Sequence, residues 1–239
     1  MAVERMPVTA GIVIPALQEE ASIGRVIAGL NEVIRATGCV RLSAVVVADN
    51  GSTDRTAAVA SDAGAVVVSE PRRGYGYACK KGLAWFAENA PIPDIIIFAD
   101  GDLADDPRDL PELVRPITEE GADLVIGSRQ PVAAGALTLP QRIGNRLACF
   151  LIRVLYGERF TDLGPFRTIR WNALAAIGMQ DDTYGWTVEM QLKAAKMRMR
   201  CAEVRVRYHP RVGVSKVSGT LKGAVMAGYK ILHTIFRYR

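Results

Sequence analysis

The segment IIIFADGDLADDP (residues 95–107) ends an apolar run with four carboxylates, Asp100, Asp102, Asp105 and Asp106. Like charges this close repel, so a metal ion, basic groups or solvent must offset them. In extended backbone alternate side chains share a face, so Asp100 and Asp102 can point at one ligand. Two carboxylates with diphosphate oxygens make a hard, all-oxygen site suited to Mg²⁺ or Mn²⁺. The competing reading is a solvated acidic turn, because Asp favours turns and N-caps. Asp106 before Pro107 reads as a turn and helix entry, and Asp105 as solvated.

Three further stretches carry chemistry. In ADNGSTD (48–54), Asp49 can accept from a base N–H or a ribose hydroxyl, Gly51 permits a tight turn, and Thr53 or Asp54 can cap a helix. PALQEE (15–20) places Glu19 and Glu20 near a helix start, where they favour the dipole or reach a nucleoside. RRGYGYACKKG (72–82) sets Gly74 and Gly76 at a helix start among Arg72, Arg73, Lys80 and Lys81. Taken alone, that Gly-x-Gly is equally a plain turn.

These stretches sit at the ends of apolar segments. GIVIP (11–15), AVVVA (44–48), AVVVS (65–69), DIIIFA (94–99) and ADLVIGS (122–128) read as strands. Helical spacing falls between them, at 22–37 with Ser22 as a candidate N-cap, from Thr53 or Asp54 to Ala63, at 76–89 and at 109–119. This βαβα order predicts an α/β fold, a mostly parallel sheet with helices on both faces. Ligands of such sheets sit beyond the carboxyl ends of the strands, which aligns Pro15, Asp49, Asp100 and Ser128 along one edge. The second half predicts a small-residue flap at 130–140 and a basic amphipathic helix at 141–156. It continues with a turn and short strand at TDLGPFR (161–167), a helix at 184–198 and a strand at 201–210. A helix at 220–239 either packs on the sheet or lies in a membrane interface, with Lys222, Lys230, Arg237 and Arg239 toward anionic headgroups.

The chain of 239 residues is 49% hydrophobic and 23% charged, enough for a sizeable globular core. Its net charge of +5 divides unevenly. Residues 1–128 hold 11 Lys/Arg and 19 Asp/Glu; residues 129–239 hold 19 and 6. An acidic first half and basic second half suit a cation site and an anionic partner, or merely uneven surface decoration. No nucleic-acid-binding motif accompanies the charge, so phosphates or a membrane surface are the expected partners and nucleic acid is not. Cys39, Cys79, Cys149 and Cys201 are scattered without a C-x-x-C pair, which fits a reducing, cytoplasmic setting rather than a zinc or disulfide framework. Neither a signal-peptide h-region nor a membrane-spanning run is evident.

PALQEE, VVADNGSTD, RRGYGYACKKG, FADGDLADDP and ADLVIGSR, in this order, resemble the family 2 glycosyltransferases of GT-A fold. The resemblance is nearest to polyprenyl-phosphate glycosyltransferases such as dolichyl-phosphate mannose synthase. It extends into TDLGPFR, YGWTVEMQ (184–191) and PRVGVSKVSG (210–219), and so over nearly the whole chain. It implies a single GT-A-like domain over 1–239. Residues 1–128 form its nucleotide-sugar and metal half, and 129–239 its acceptor half.

By residue, the resemblance implies that Pro15, Ala16, Glu19, Asp49, Gly74, Gly101, Trp186 and Glu189 serve the nucleotide sugar. Asp100 and Asp102 hold Mg²⁺ or Mn²⁺, and Asp162 lies near the reacting centre. Ser128, Arg129, Arg211, Ser215 and Lys216 lie toward the acceptor or its phosphate. Arg142 and Arg146 join them as forked phosphate donors or form a solvated helix face. In departures from the family pattern, Leu17–Gln18 replaces Tyr–Asn, Asn50 replaces Asp, and Ala104 stands where some relatives carry a metal-binding Gln. The expected reaction is inverting transfer of a hexose from a nucleoside-diphosphate sugar, UDP and GDP both open, to a polyprenyl phosphate at the membrane's cytoplasmic face. A soluble acceptor and a non-catalytic nucleotide-sugar-binding module are the alternatives.

Overall fold

The computed structural model describes residues 8–89, 91–213 and 221–238. Seven strands form one sheet: β1 (Thr9–Ala16), β2 (Arg41–Asp49), β3 (Val66–Ser69), β4 (Ile95–Phe98), β5 (Leu124–Val132), β6 (Arg167–Arg170) and β7 (Cys201–Tyr208). Their spatial order is β3-β2-β1-β4-β6-β5-β7. The helices are α1 (Ile23–Thr37), α2 (Thr56–Asp62), α3 (Tyr75–Glu88), α4 (Leu110–Glu119), α5 (Leu139–Tyr156), α6 (Trp171–Ile177), α7 (Trp186–Lys196) and α8 (Leu221–Arg237).

The strands alternate their side chains between two cores. Ile12 and Ile14 of β1 face α1 and α4, where Ile27, Leu30, Leu113 and Ile117 bury against them. Val13 and Phe98 point the other way, toward Phe86 of α3, Ile152 of α5 and Val188 of α7. Burying a side chain of this size contributes roughly 1.5–3 kcal/mol, so continuous Val/Ile runs are natural in strands covered on both faces. Helix α3 lies close to β1. A Cβ on Gly82 would stand 2.7 Å from Val13 Cγ1, and one on Gly11 2.6 Å from the Phe86 ring.

The expected parallel order holds for β1 with β2 and β4, for β2 with β3, and for β5 with β7. Strand β6 runs antiparallel between β4 and β5. Its first residue, Arg167, is wholly buried. Its guanidinium donates to the carbonyls of Leu163 and Thr187 at 3.1 and 2.9 Å and also to that of Gly164, so a charge mid-sheet is satisfied by backbone.

Strand β5 extends to Val132 because β7 pairs with it as far as Val132↔Tyr208, so the expected flap begins as strand and only 133–138 remain a loop. Over its described side chains, helix α8 packs on the protein through one face, while Tyr229 and Phe236 stay exposed. Ile235 is buried, the Tyr156 hydroxyl donates to its carbonyl at 2.6 Å, and Lys230 pairs with Asp181 at 3.0 Å. Among the described residues no helix is long and apolar enough to cross a membrane.

Strand order reverses direction between β1 and β4, the switch point where open α/β sheets leave a crevice. The register places Ala16 opposite Asp49, and the Ala99 N–H reaches the Val13 carbonyl at 3.2 Å. Pro15–Ala16, Asp49–Asn50 and Asp100 therefore reach the same edge.

Candidate active site

A cavity of about 300 Å³ opens at that edge. Its floor is Pro15, Ala16 and Leu17 after β1 and Asp100, Gly101 and Asp102 after β4; Asn50, Gly74, Tyr75, Thr183, Tyr184 and Arg211 enclose it. The loops after β1 and β2 are laced together. The Gln18 side-chain carbonyl accepts from the Thr53 N–H at 2.6 Å, and Glu20 accepts from the Arg55 N–H at 2.8 Å. Asp54 accepts from the N–H and hydroxyl of Thr56 at 3.0 and 2.5 Å, which fixes the start of α2. Gln18, where the family pattern has Asn, is thus a tie between loops and sits at φ 56° to make it.

Asn50 explains its own departure from Asp. Its amide donates to the carbonyls of Glu70 and Arg72 at 2.9 and 2.7 Å, while its oxygen accepts from the Gly74 N–H at 2.8 Å. A carboxylate has no hydrogen for the first two bonds. Asn50 thereby delivers Gly74 and α3 to the cavity.

At the end of β4 the acidic groups separate by environment. The Tyr75 hydroxyl donates to Asp100 Oδ1 at 3.0 Å. Burial, then the neighbouring Asp102 charge, pushes the Asp100 carboxyl up to about 7. Asp102 Oδ1 accepts from the Ala104 N–H at 2.9 Å, across a turn in which Leu103 takes φ 62°. Its Oδ2 lies 3.1 Å from Arg211 Nη2, which also donates to Glu19 Oε1 at 3.1 Å. A Cβ on Gly101 would lie 3.2 Å from Ile23 Cδ1, a tight contact.

Asp105 departs from expectation. It is buried, not solvated, and among the described residues neither carboxylate oxygen has a hydrogen-bond partner. Burial and then the Asp100 and Asp102 charges push its carboxyl well above the usual carboxylate range. Asp106 is the expected turn residue. It accepts from the Arg108 N–H at 3.0 Å, and the Arg108 guanidinium holds its carboxyl well below the ordinary value.

Asp100 and Asp102 fit a divalent cation: two hard oxygen donors border open space, and their mutual repulsion is what such an ion relieves. Among the described residues no group of three or more His, Cys, Asp or Glu forms a closed cage. Diphosphate oxygens and water would complete the coordination.

The cavity gathers Pro15, Ala16, Glu19, Gly74, Asp100, Gly101, Asp102 and Arg211 from the expected set. Others lie elsewhere. Asp49 turns to its own loop and accepts from the Ser52 N–H at 3.2 Å. Ser128 faces the Thr161 hydroxyl at 2.9 Å. Asp162 was expected near the reacting centre, but it does not line the cavity. Its carboxylate accepts from the Arg129 N–H, Nε and Nη2 at 2.8, 2.7 and 2.5 Å, so acting as a base would first break a buried ion pair. Arg129 directs its Nε and Nη2 to Asp162 and does not line the cavity.

Trp186 is buried against Phe98, ring centroids 6.0 Å apart, rather than open to donor. Glu189 is buried behind the cavity. It accepts from the N–H groups of Gln180 and Asp181 at 3.0 and 2.6 Å and pairs with Lys193 at 2.7 Å, so it props the loop that presents Thr183 and Tyr184. Arg142 and Arg146 are exposed on α5, outside the cavity. Ser215 and Lys216 lie outside the described residues.

Sequence reading missed Tyr75, Thr183, Tyr184 and Arg73 as cavity residues. The only local signal was the Gly-x-Gly pair. A Cβ on Gly76 would meet the Asp181 carbonyl, and one on Gly74 the Asp182 carbonyl, so these glycines admit the 180–185 loop against α3.

The family model described as Glycosyl transferase family 2 matches residues 11–178. An uncharacterized glycosyltransferase of Mycobacterium tuberculosis is 39% identical over 217 residues, covering 90% of this chain and 93% of that protein. A dolichyl-phosphate hexose transferase of Haloferax volcanii is 29% identical over 221 residues, covering 90% of this chain and 89% of that one. The fold also matches the crystal structure of glucosyl-3-phosphoglycerate synthase from Mycobacterium tuberculosis in complex with Mn²⁺, UDP-glucose and phosphoglyceric acid. That match has a TM-score of 0.74 at 25% identity and covers 97% of this chain and 79% of the other. The segment matched by the family model runs from within β1 to the end of α6 and carries both cavity aspartates; the chain belongs to glycosyl transferase family 2 and has a GT-A-like α/β fold.

Proposed function

We propose that the chain is a metal-dependent, inverting hexosyltransferase that moves sugar from a nucleoside-diphosphate hexose to a polyprenyl phosphate. The observation that carries the reading is the Asp100–Asp102 pair bordering a 300 Å³ cavity at the sheet's switch point. The Mn²⁺ and UDP-glucose of the glucosyl-3-phosphoglycerate synthase complex support the donor class. The dolichyl-phosphate hexose transferase supports the acceptor class.

When bound, a divalent cation supplies Lewis-acid neutralisation of the departing diphosphate. Asp100 and Asp102 would hold it, with Tyr75 fixing the Asp100 carboxyl. Arg211, already poised between Glu19 and Asp102, is a cavity guanidinium for a phosphate group, as is Arg73. Asn50 sets the wall formed by Gly74, and the loop packed against that wall contributes Thr183 and Tyr184. A phosphate monoester attacks as an anion and needs no deprotonation, which accords with Asp162 being held by Arg129. A soluble phosphorylated acceptor is the second reading, favoured by the phosphoglyceric acid in the synthase complex.

The test is transfer from radiolabelled UDP-glucose and GDP-mannose, with and without Mn²⁺, to a polyprenyl phosphate or to phosphoglyceric acid. The expected product is extractable into organic solvent and disappears with Asp102→Asn. Label passing only to phosphoglyceric acid overturns the lipid acceptor. Transfer unchanged by Asp102→Asn overturns the role of the pair.

A further inference from the structure

Helix α5 leaves an unusual face uncovered. Leu139, Ile143, Leu147, Phe150 and Val154 are each between 44% and 69% exposed. Their spacing of four, four, three and four residues confines them to one stripe, about 80° wide at 100° per residue. Arg142, Arg146 and Arg153 are also exposed and form the adjoining flank. The helix contains no Asp or Glu, and no carboxylate among the described residues pairs with these arginines. Farther round in the same sense comes Asn145. Its amide donates to the Thr161 carbonyl at 3.3 Å and its oxygen accepts from the Leu163 N–H at 2.9 Å, on either side of Asp162. Around the helix the order is apolar stripe, arginine flank, then the contact to the 161–163 segment. The opposite face is buried through Ala148 and Ile152.

We propose that this face of α5 docks on an anionic lipid surface, the apolar stripe entering the acyl boundary and the arginines meeting headgroup phosphates. Charge complementarity selects a lipid surface over α5 pairing with α5 of a second copy, because the helix offers no acid to answer its three arginines. At 18 residues the helix is about 27 Å long. With three arginines on its flank it lies along the interface rather than across it. The inference rests on the lipid-phosphate acceptor proposed above and deepens it: a chain without a described spanning helix meets its acceptor where the acceptor's phosphate lies. Arg142 and Arg146, outside the cavity, thereby acquire a role.

The test is flotation of the full chain with vesicles of phosphatidylcholine alone and of phosphatidylcholine with phosphatidylglycerol, at low and high salt. Binding to the anionic vesicles that weakens with salt is expected. Ile143→Asp with Phe150→Asp removes it while leaving the thermal melt and the rate on a short-chain, water-soluble prenyl phosphate unchanged. Arg142→Gln, Arg146→Gln and Arg153→Gln each lower partitioning about fivefold. No flotation with anionic vesicles, or flotation unaltered by the double Asp variant, overturns the inference. So does a dimer, seen by light scattering, that the same variant splits into monomers, because the face then belongs to a second copy. Vesicle binding without transfer to any prenyl phosphate upholds the docking face and overturns the acceptor; transfer in solution without vesicle binding does the reverse.

Discussion

Replacing Arg129 with Met leaves the Asp162 carboxylate buried without its counter-charge. The two side chains are 13% and 7% exposed. The substitution removes the Nε and Nη2 bonds and leaves Asp162 only the Arg129 N–H, with Glu203 nearby on the N–H groups of Thr161 and Asp162. Burial pulls the Arg129 guanidinium down, but the Asp162 bonds and charge outweigh it and hold it firmly protonated. Breaking a buried pair from one side costs about 3–5 kcal/mol, because an uncompensated charge remains. That is a large share of the ~5–15 kcal/mol that stabilises a domain. Arg129→Met combined with Asp162→Asn removes the stranded charge and should recover about 1–3 kcal/mol of the summed single losses. Urea unfolding of the four proteins at neutral pH measures this coupling. A loss below about 1 kcal/mol for Arg129→Met, or strictly additive single losses, would refute the ion-pair reasoning. Kinetics on the same proteins separates roles. A base at Asp162 would lose about 10²–10⁴ in kcat on Asp162→Asn alone. An anchor lowers the rate similarly from either side of the pair.

Three further outcomes follow from the cavity. Asn50→Asp loses both donors to the 70 and 72 carbonyls and should cost about 1–3 kcal/mol with weaker donor binding, read by thermal melts with and without UDP-glucose; an unchanged melt contradicts the tie. Gly76→Ala, which in an unobstructed helix stabilises by about 1 kcal/mol, should instead destabilise by about 1–3 kcal/mol because its Cβ meets the Asp181 carbonyl; a raised melting temperature refutes the close approach. The Asp100 carboxyl, raised to about 7, keeps its proton in the fold where the unfolded chain has lost it. Its contribution therefore makes the metal-free fold less stable as pH rises from the ordinary Asp value, about 4, to about 7, with no further change above. Mn²⁺ must displace that proton, so its affinity by titration calorimetry should fall up to about tenfold per pH unit below about 7; a pH-independent affinity there counts against Asp100 as a ligand.

The continuous Val/Ile runs of β1, β2 and β4 and the periodic apolar face of α1 were legible because each depends on neighbours within a turn or a strand. The position of Asp100 and Asp102 at a strand end was legible for the same reason. Harder to read was β6, four residues beginning with an arginine whose partners are carbonyls on a loop and on α7. Asp105 and Asp106 are neighbours in an acidic run, yet one is an orphaned buried acid and the other a capped, ion-paired turn residue. Composition is blind to that difference, because burial depends on what packs above the turn.

By itself, the sequence determined the α/β class, most strand positions and the two aspartates that end β4, all products of local periodicity. Only the tertiary structure decided that Arg211 lies between Glu19 and Asp102, that Glu189 and Trp186 support the cavity from behind, and that Asp162 is held by Arg129. Arg211 and Glu19 are 192 residues apart, and Arg129 and Asp162 are 33 apart across β5 and the segment before β6. Such pairs form because the sheet order brings distant strand ends together, and no repeat of 2 or 3.6 residues encodes that order.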